Sequence, residues 1–137
     1  MPCDDVPTGV YDPQCLDSCP SNKSIDYKSD KHYANSYYGF KTIEAVKHDI
    51  MTYGSVTAAF TVFEDFLTYQ SGVYTHISGE SHGGHAVKCI GWGVENGQAY
   101  WLNVNSWNNT WGDAGTFKIS MEEGHGILNF RLHAGTV

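Results

Sequence analysis

One amphipathic helix followed by four or five antiparallel strands, an α+β unit with a twisted sheet or open barrel, is the fold the sequence predicts. Three observations carry that expectation. Apolar residues at Ile43, Val46, Ile50 and Tyr53 recur at helical spacing. Val56, Ala58, Phe60 and Val62 then alternate with Thr57, Ala59 and Thr61, the period-two pattern of a half-buried strand. Finally, two apolar runs, 86–94 and 98–104, flank Asn96-Gly97, a dipeptide that supplies the positive φ angles of a tight hairpin turn.

Along the chain, residues 1–30 hold all four prolines and three of the four cysteines, with little periodicity. They read as an irregular, cross-linked connecting segment, and residues 31–137 as the folded body. The helix spans about Thr42 to Tyr53 and stops at Gly54. A short helical turn is expected near Glu64 to Tyr69, and further strands at 116–120 and 128–133. No repeat, low-complexity tract or interdomain linker is visible.

Composition bounds the function. With 137 residues, 41% hydrophobic and 14% aromatic, the chain is one globular domain or a piece of one. A formal charge of −7, with eight scattered Lys and Arg, excludes a nucleic-acid or anionic-membrane partner, whose phosphates require clustered cations. No apolar run approaches the roughly 20 residues that span a bilayer, and the first residues have no signal-peptide pattern. Protonation of all seven histidines would bring the formal charge to zero, so the surface field collapses in acid.

Cys3, Cys15 and Cys19 crowd the first segment, while Cys89 stands alone in an apolar run. Four thiols allow three complete pairings. The sequons Asn22-Lys23-Ser24 and Asn108-Asn109-Thr110 agree with an oxidising, secretory route. His82 and His85 with the early cysteines match no standard zinc ligand set, so neither metal nor cofactor is expected.

The chemistry centres on His85. Gly83 and Gly84 precede it, letting the backbone pass close to another surface, and His85 is expected to begin a strand rather than lie within it. A lone histidine in a turn means little, but VNSWNNTWG, 104–112, follows the partner strand of the hairpin and brings Asn105, Trp107 and Trp111. Paired strands put His85 and Asn105 at similar heights. An Asn carbonyl accepting the imidazole N–H fixes the ring's tautomer, and an indole over that contact excludes water. Such a histidine is equipped to act as a general base.

GGHAVKCIGWG, NSWNNTWGDAGTFKI and the upstream DKHYANSYY together resemble the C-terminal half of papain-like cysteine peptidases, most closely the cathepsin B group. The resemblance covers nearly the whole chain from Cys3. It implies the right-hand, barrel-like antiparallel β domain of the papain fold, with the left-hand helical domain missing. It also implies that His85 is the catalytic imidazole, Asn105 its orienting partner and Trp107 the shielding ring, with Trp111, Gly83 and Gly84 in support. The family's nucleophile is a cysteine at a helix N-terminus in the other half, with a glutamine upstream completing the oxyanion hole. Neither is in this sequence: Gln14-Cys15 lacks the following helix, and Cys89, four residues along a strand, would lie about 13 Å from His85.

The resemblance further implies that the partners of Cys3, Cys15 and Cys19 lie before this chain begins, leaving these thiols unpaired, scrambled or linked between molecules. Ser55, where a proline commonly precedes the strand, and His125, where a cysteine is typical, depart from the family pattern. Counting back from Ala134-Gly135 puts Arg131 where cathepsin B has the acidic floor of its second subsite, a charge reversal that would favour acidic substrates; a one-residue register shift in this segment would instead turn Arg131 to solvent and bring Phe130 or Leu132 inward. A face bearing His85, Trp107 and Trp111 would be exposed without the other half, favouring association. The expected reaction is peptide-bond hydrolysis on peptide or protein substrates, in a lysosome-like vacuole or outside the cell. It would be absent from this chain alone and dependent on the missing N-terminal half as partner. A truncated product, one chain of a two-chain enzyme, a non-catalytic peptide- or inhibitor-binding homologue, and a small disulfide-bearing structural module all remain open at this point.

Overall fold

The computed structural model describes residues 24–122 and 131–136, with Arg131 and Thr136 described in backbone only. The chain divides into two units at Tyr33/Ala34. Of the first, Ser24–Tyr33 is described: Asp26 Oδ2 accepts the Ser29 amide at 3.2 Å and closes a turn. The cysteine-rich remainder, with Cys3, Cys15 and Cys19, lies outside the described residues, as does His125.

The second unit is a seven-stranded sheet with one α-helix. In chain order its elements are β1 (Ser36–Gly39), α1 (Ile43–Tyr53), β2 (Val56–Phe63), a 3₁₀ turn (Glu64–Thr68), β3 (Val73–Tyr74), β4 (Ser81–Glu95), β5 (Gln98–Val104), β6 (Thr116–Ser120) and β7 (Arg131–Thr136). The sheet order is β1-β7-β2-β4-β5-β6-β3, with β1 and β3 as edges, so the described sheet is open rather than a closed barrel. The α+β class and the central hairpin agree with the sequence. Asn96 and Gly97 turn it with φ of 52° and 83°, both in the left-handed region that an Asn-Gly turn requires.

Three expectations need correction. The sheet has seven strands, not four or five, because β1 and β3 are four and two residues long, too short to display a period. The β3–β6 pair is parallel, in a sheet expected to be antiparallel throughout. And α1 buries a narrower stripe than its spacing suggests. Thr42 caps it by accepting the Ala45 amide at 3.1 Å, and Gly54 ends it at φ 101°. Val46 is buried and Ile50 half-buried, but Ile43 is exposed and Tyr53 is 73% exposed. Asp49 takes the inward place instead, accepting the Tyr38 hydroxyl at 2.8 Å, so its burial leaves that oxygen satisfied.

The core lies under β2, β4, β5 and β6. Its centre is Phe66 of the 3₁₀ turn, fully buried and in ring contact with Phe60, Tyr69, Tyr74, Trp107, Trp111 and Phe117. Phe66→Ala should therefore lower the unfolding free energy by about 3–5 kcal/mol, checked by urea titration, out of roughly 5–15 kcal/mol for an ordinary domain.

Candidate active site

His85 and Asn105 are brought together by register. β4 begins at Ser81, so His85 lies inside the strand, not at its head. It pairs directly with Phe60 of β2, whose ring meets the imidazole edge-on at 5.9 Å. From the turn, β4 and β5 run in one register through Gly91↔Leu102, then shift by one residue at Ile90, so that Cys89 faces Asn103 and Lys88 faces Val104. An inserted residue of this kind reverses which face each later side chain occupies. Without it Asn105 would stand opposite Lys88, and His85 would fall on the other face of the sheet from it. With it Asn105 stands one step past the Lys88–Val104 pair, diagonal to His85. The Asn105 amide then donates to the Gly115 carbonyl at 2.9 Å, tying the strand end to the return of the 106–115 loop.

The contact itself is defined chemically. His85 Nε2 lies 2.8 Å from Asn105 Oδ1. That same oxygen accepts the Ser106 backbone amide at 2.8 Å, which can only donate, so the atom facing the imidazole is an acceptor. Nε2 therefore carries the proton and the neutral ring presents Nδ1 as its free, basic nitrogen. Trp107 stacks on the imidazole with centroids 5.0 Å apart and planes 28° from parallel. Asn105 Nδ2 is buried with no hydrogen-bond partner among the described residues.

Behind this pair stands a second layer that the sequence reading largely missed. Trp107 rests on Phe66 at 5.5 Å and on Trp111 at 5.0 Å. Trp111 is one layer removed from His85 and is anchored by its indole N–H, which donates to the Leu67 carbonyl at 2.9 Å. Trp107 and Trp111 are thus partly buried against the aromatic core. Exposed large apolar residues include Leu67 of the 3₁₀ turn, Met51 and Tyr53 of α1 and Val94 of β4. Gly83 adopts φ 96°, which explains the glycine. A Cβ at Gly83 or Gly84 would meet nothing within 4 Å, so the close approach expected there is not made by described residues. Phe60 and Phe66 were legible only as strand and turn apolar residues. Their contact with the site needs the register.

A model of the papain family of cysteine proteases matches residues 5–132. The chain belongs to the papain family. It is 50% identical over 110 residues to the cathepsin B-like cysteine proteinase 5 of Caenorhabditis elegans, covering 78% of this chain and 32% of that protein. It is 49% identical over 114 residues to the cathepsin B-like cysteine proteinase of Schistosoma japonicum, covering 82% and 33%. Among solved structures it superimposes on proCathepsin B S9 from Trypanosoma congolense with a TM-score of 0.79 and 34% identity, covering 90% of this chain and 42% of that one. The chain thus spans about a third of the length of the curated relatives it matches, and its fold is the β domain of the papain fold of cathepsin B.

Within that papain-family domain, the described thiol is not available for chemistry. Cys89 is fully buried between β2 and β5, its Sγ lies 3.7 Å from the Gly91 carbonyl as donor, and burial pushes its pKa up to about 11. Arg131 occupies the β7 position opposite Ala59, which in turn pairs with Ala86, the residue after His85. Its side chain lies outside the description. Among the described residues no three His, Cys, Asp or Glu gather in a way that could hold a metal, and none of the helices is long and apolar enough to cross a membrane. Cys89 should resist iodoacetamide in the folded chain at pH 8 and be alkylated at least about a hundredfold faster in denaturant, since reaction needs an exposed thiolate. Peptide mass spectrometry checks this.

Proposed function

We propose that this chain supplies the histidine and asparagine portion of a cathepsin B-like cysteine peptidase site. A thiolate and the oxyanion donors would come from the two thirds of the family's length that it does not span. The observation that supports this reading is the Nε2–H to Oδ1 contact, which leaves Nδ1 free to face a nucleophile. In the proposed reaction the thiolate attacks the scissile carbonyl carbon. The His85 imidazolium gives its Nδ1 proton to the leaving amine as the C–N bond breaks. The neutral ring then takes a proton from water at Nδ1 as hydroxide attacks the thioester, releasing the acid and the thiolate and restoring the imidazolium. Trp107 keeps water from competing for the orienting bond, and Asn105 prevents ring rotation.

A groove of about 530 Å³, lined by Thr57, Ala86, Lys88, Val104, Asn105 and Ser106, ends at the orienting asparagine and offers a wall for a partner segment or peptide. A non-catalytic peptide- or inhibitor-binding homologue would not require a fixed tautomer, and family membership disfavours a small disulfide-bearing module. We place the parent enzyme in a lysosome-like vacuole or outside the cell, and take the chain to be inactive alone.

Purified chain should show no thiol-dependent hydrolysis of fluorogenic peptides. Refolding it with the N-terminal portion of a cathepsin B-like relative should restore cleavage, and His85→Ala should then remove at least about a hundredfold of it, the usual scale of general acid–base catalysis. Alkylation-sensitive activity from the chain alone would refute the reading.

The register Arg131–Ala59–Ala86 sets the arginine in the row that begins beside the catalytic histidine, consistent with a subsite of basic character. The reconstituted enzyme should prefer Glu or Asp two residues before the cut, and Arg131→Glu should reverse that ranking toward Arg by tenfold or more, about the worth of one charge-assisted pair. An unchanged ranking in kcat/KM would remove Arg131 from the pocket.

A further inference from the structure

The motif-bearing segments do not explain why the entrance of β4 holds still. Residues 75–80 connect β3 to β4 directly upstream of His85, and they are strapped to the 3₁₀ turn by one side chain. Asp65 Oδ1 accepts the Tyr74 hydroxyl at 2.6 Å and lies 3.1 Å from His76 Nδ1. Asp65 Oδ2 accepts the backbone amides of Ile77 and Ser78 at 2.8 and 3.2 Å. Four donors occupy a carboxylate that offers about four lone-pair positions. The segment then passes over the turn so closely that a Cβ at Gly79 would fall 2.6 Å from Glu64 Cβ, and the Glu64 amide donates to the Glu80 carbonyl at 3.0 Å. His76 stacks on Phe63 at 3.7 Å.

The same 3₁₀ turn carries the other wall of the site. Its Phe66 supports Trp107, and its Leu67 carbonyl holds Trp111. One turn thus fastens both the strand that delivers His85 and the indole stacked on it. We infer that Asp65 is a positioning residue of the His85 site, clamping the 75–80 segment to the 3₁₀ turn so that imidazole, asparagine and Trp107 stay in register. The role rests on the reading of His85–Asn105 as the working pair, but it concerns the geometry of that pair in this chain, with or without hydrolysis. Asp65→Asn is nearly isosteric and turns one acceptor oxygen into an NH₂ group facing two amide donors, so it attacks the clamp and spares the packing.

The test is nitrogen-15 and proton NMR of the histidine rings in the full chain. In the unmodified protein the neutral His85 ring should be held in the Nε2–H form, with that proton exchanging slowly. Asp65→Asn should speed its exchange about tenfold, the effect of losing one to two hydrogen bonds' worth of restraint, and raise the population of the other tautomer. Val46→Ala, a core truncation in α1 away from the clamp, should lower the melting temperature yet leave the His85 signals unchanged. If Asp65→Asn does not fold, Tyr74→Phe removes a single donor and should move the same signals in the same direction. His85 signals identical to wild type in the folded clamp variant, or moved equally by Val46→Ala, would overturn the inference. Failure of the reconstituted chain to cleave peptides would instead count against the proposed function and leave the NMR result standing on its own.

Discussion

The one-residue slip at Ile90 is the constraint on which the candidate site depends. Strand pairing has period two, so a register set by the Asn96-Gly97 turn and carried unbroken down β4 and β5 would put Asn105 beside Lys88, facing away from the imidazole. The slip changes parity in mid-strand. On the turn side, Trp92 pairs with the buried Trp101. Beyond the slip, Val87 and Cys89 are the inward residues. One strand thereby serves two packing phases, and the phase change converts a hairpin into a device that presents histidine and asparagine to each other. On β5 a core position is filled by Asn103, whose Nδ2 reaches the Trp101 carbonyl while Oδ1 has no partner among the described residues. A buried acceptor left in that state costs about 1–3 kcal/mol.

What the slip aligns, the aromatic cluster keeps aligned. An imidazole held by a single hydrogen bond would retain freedom to tilt about it. Phe60 on one side and Trp107 on the other confine the ring, and both rest on Phe66. Aromatic pairs of this geometry contribute roughly 0.5–1.5 kcal/mol each beyond the area they bury. The support is therefore part of the domain's stability, and the ring's orientation is maintained by the same contacts that keep the domain folded. This coupling explains how a site can persist on a domain that spans only a third of its relatives' length.

Legibility followed the length scale of each interaction. The helix, β2, the hairpin and β6 could be read because each is a local periodic pattern closed by a local signal. Strands β1 and β3 could not, since two to four residues define no period. Their placement at the sheet edges comes from partners 45 and 94 or more residues away, as in Val73↔Lys118 and Gly39↔His133, and is not encoded locally in either strand. The slip at Ile90 left only a faint trace, inward-reading residues changing from odd to even between Cys89 and Trp92 with Gly91 between them. The His85, Asn105 and Trp107 group was legible because a family motif preserves it. Asp65 was invisible, because its value lies in donors up to 13 residues downstream, three of them on a segment with no periodicity.

The electrostatics of the domain separate into a formal charge that changes with acid and a partly buried carboxylate, Asp65, that stays ionised. Burial by itself would raise the Asp65 carboxyl, but four hydrogen bonds, led by that of Tyr74, outweigh it and hold the group well below the ordinary carboxylate range. A carboxylate depressed in the folded state contributes stability that is complete above its unfolded pKa, near 3.9, and is lost only as pH falls through the lower folded value. Across the acidic range in which histidines gain their protons, the clamp therefore stays ionised while the formal surface charge rises from −7 toward zero. Loss of net charge removes a barrier to association. A segment anchored by an ordinary exposed carboxylate would loosen over part of that range, whereas the depressed Asp65 carboxylate keeps residues 75–80 fastened to the 3₁₀ turn throughout it.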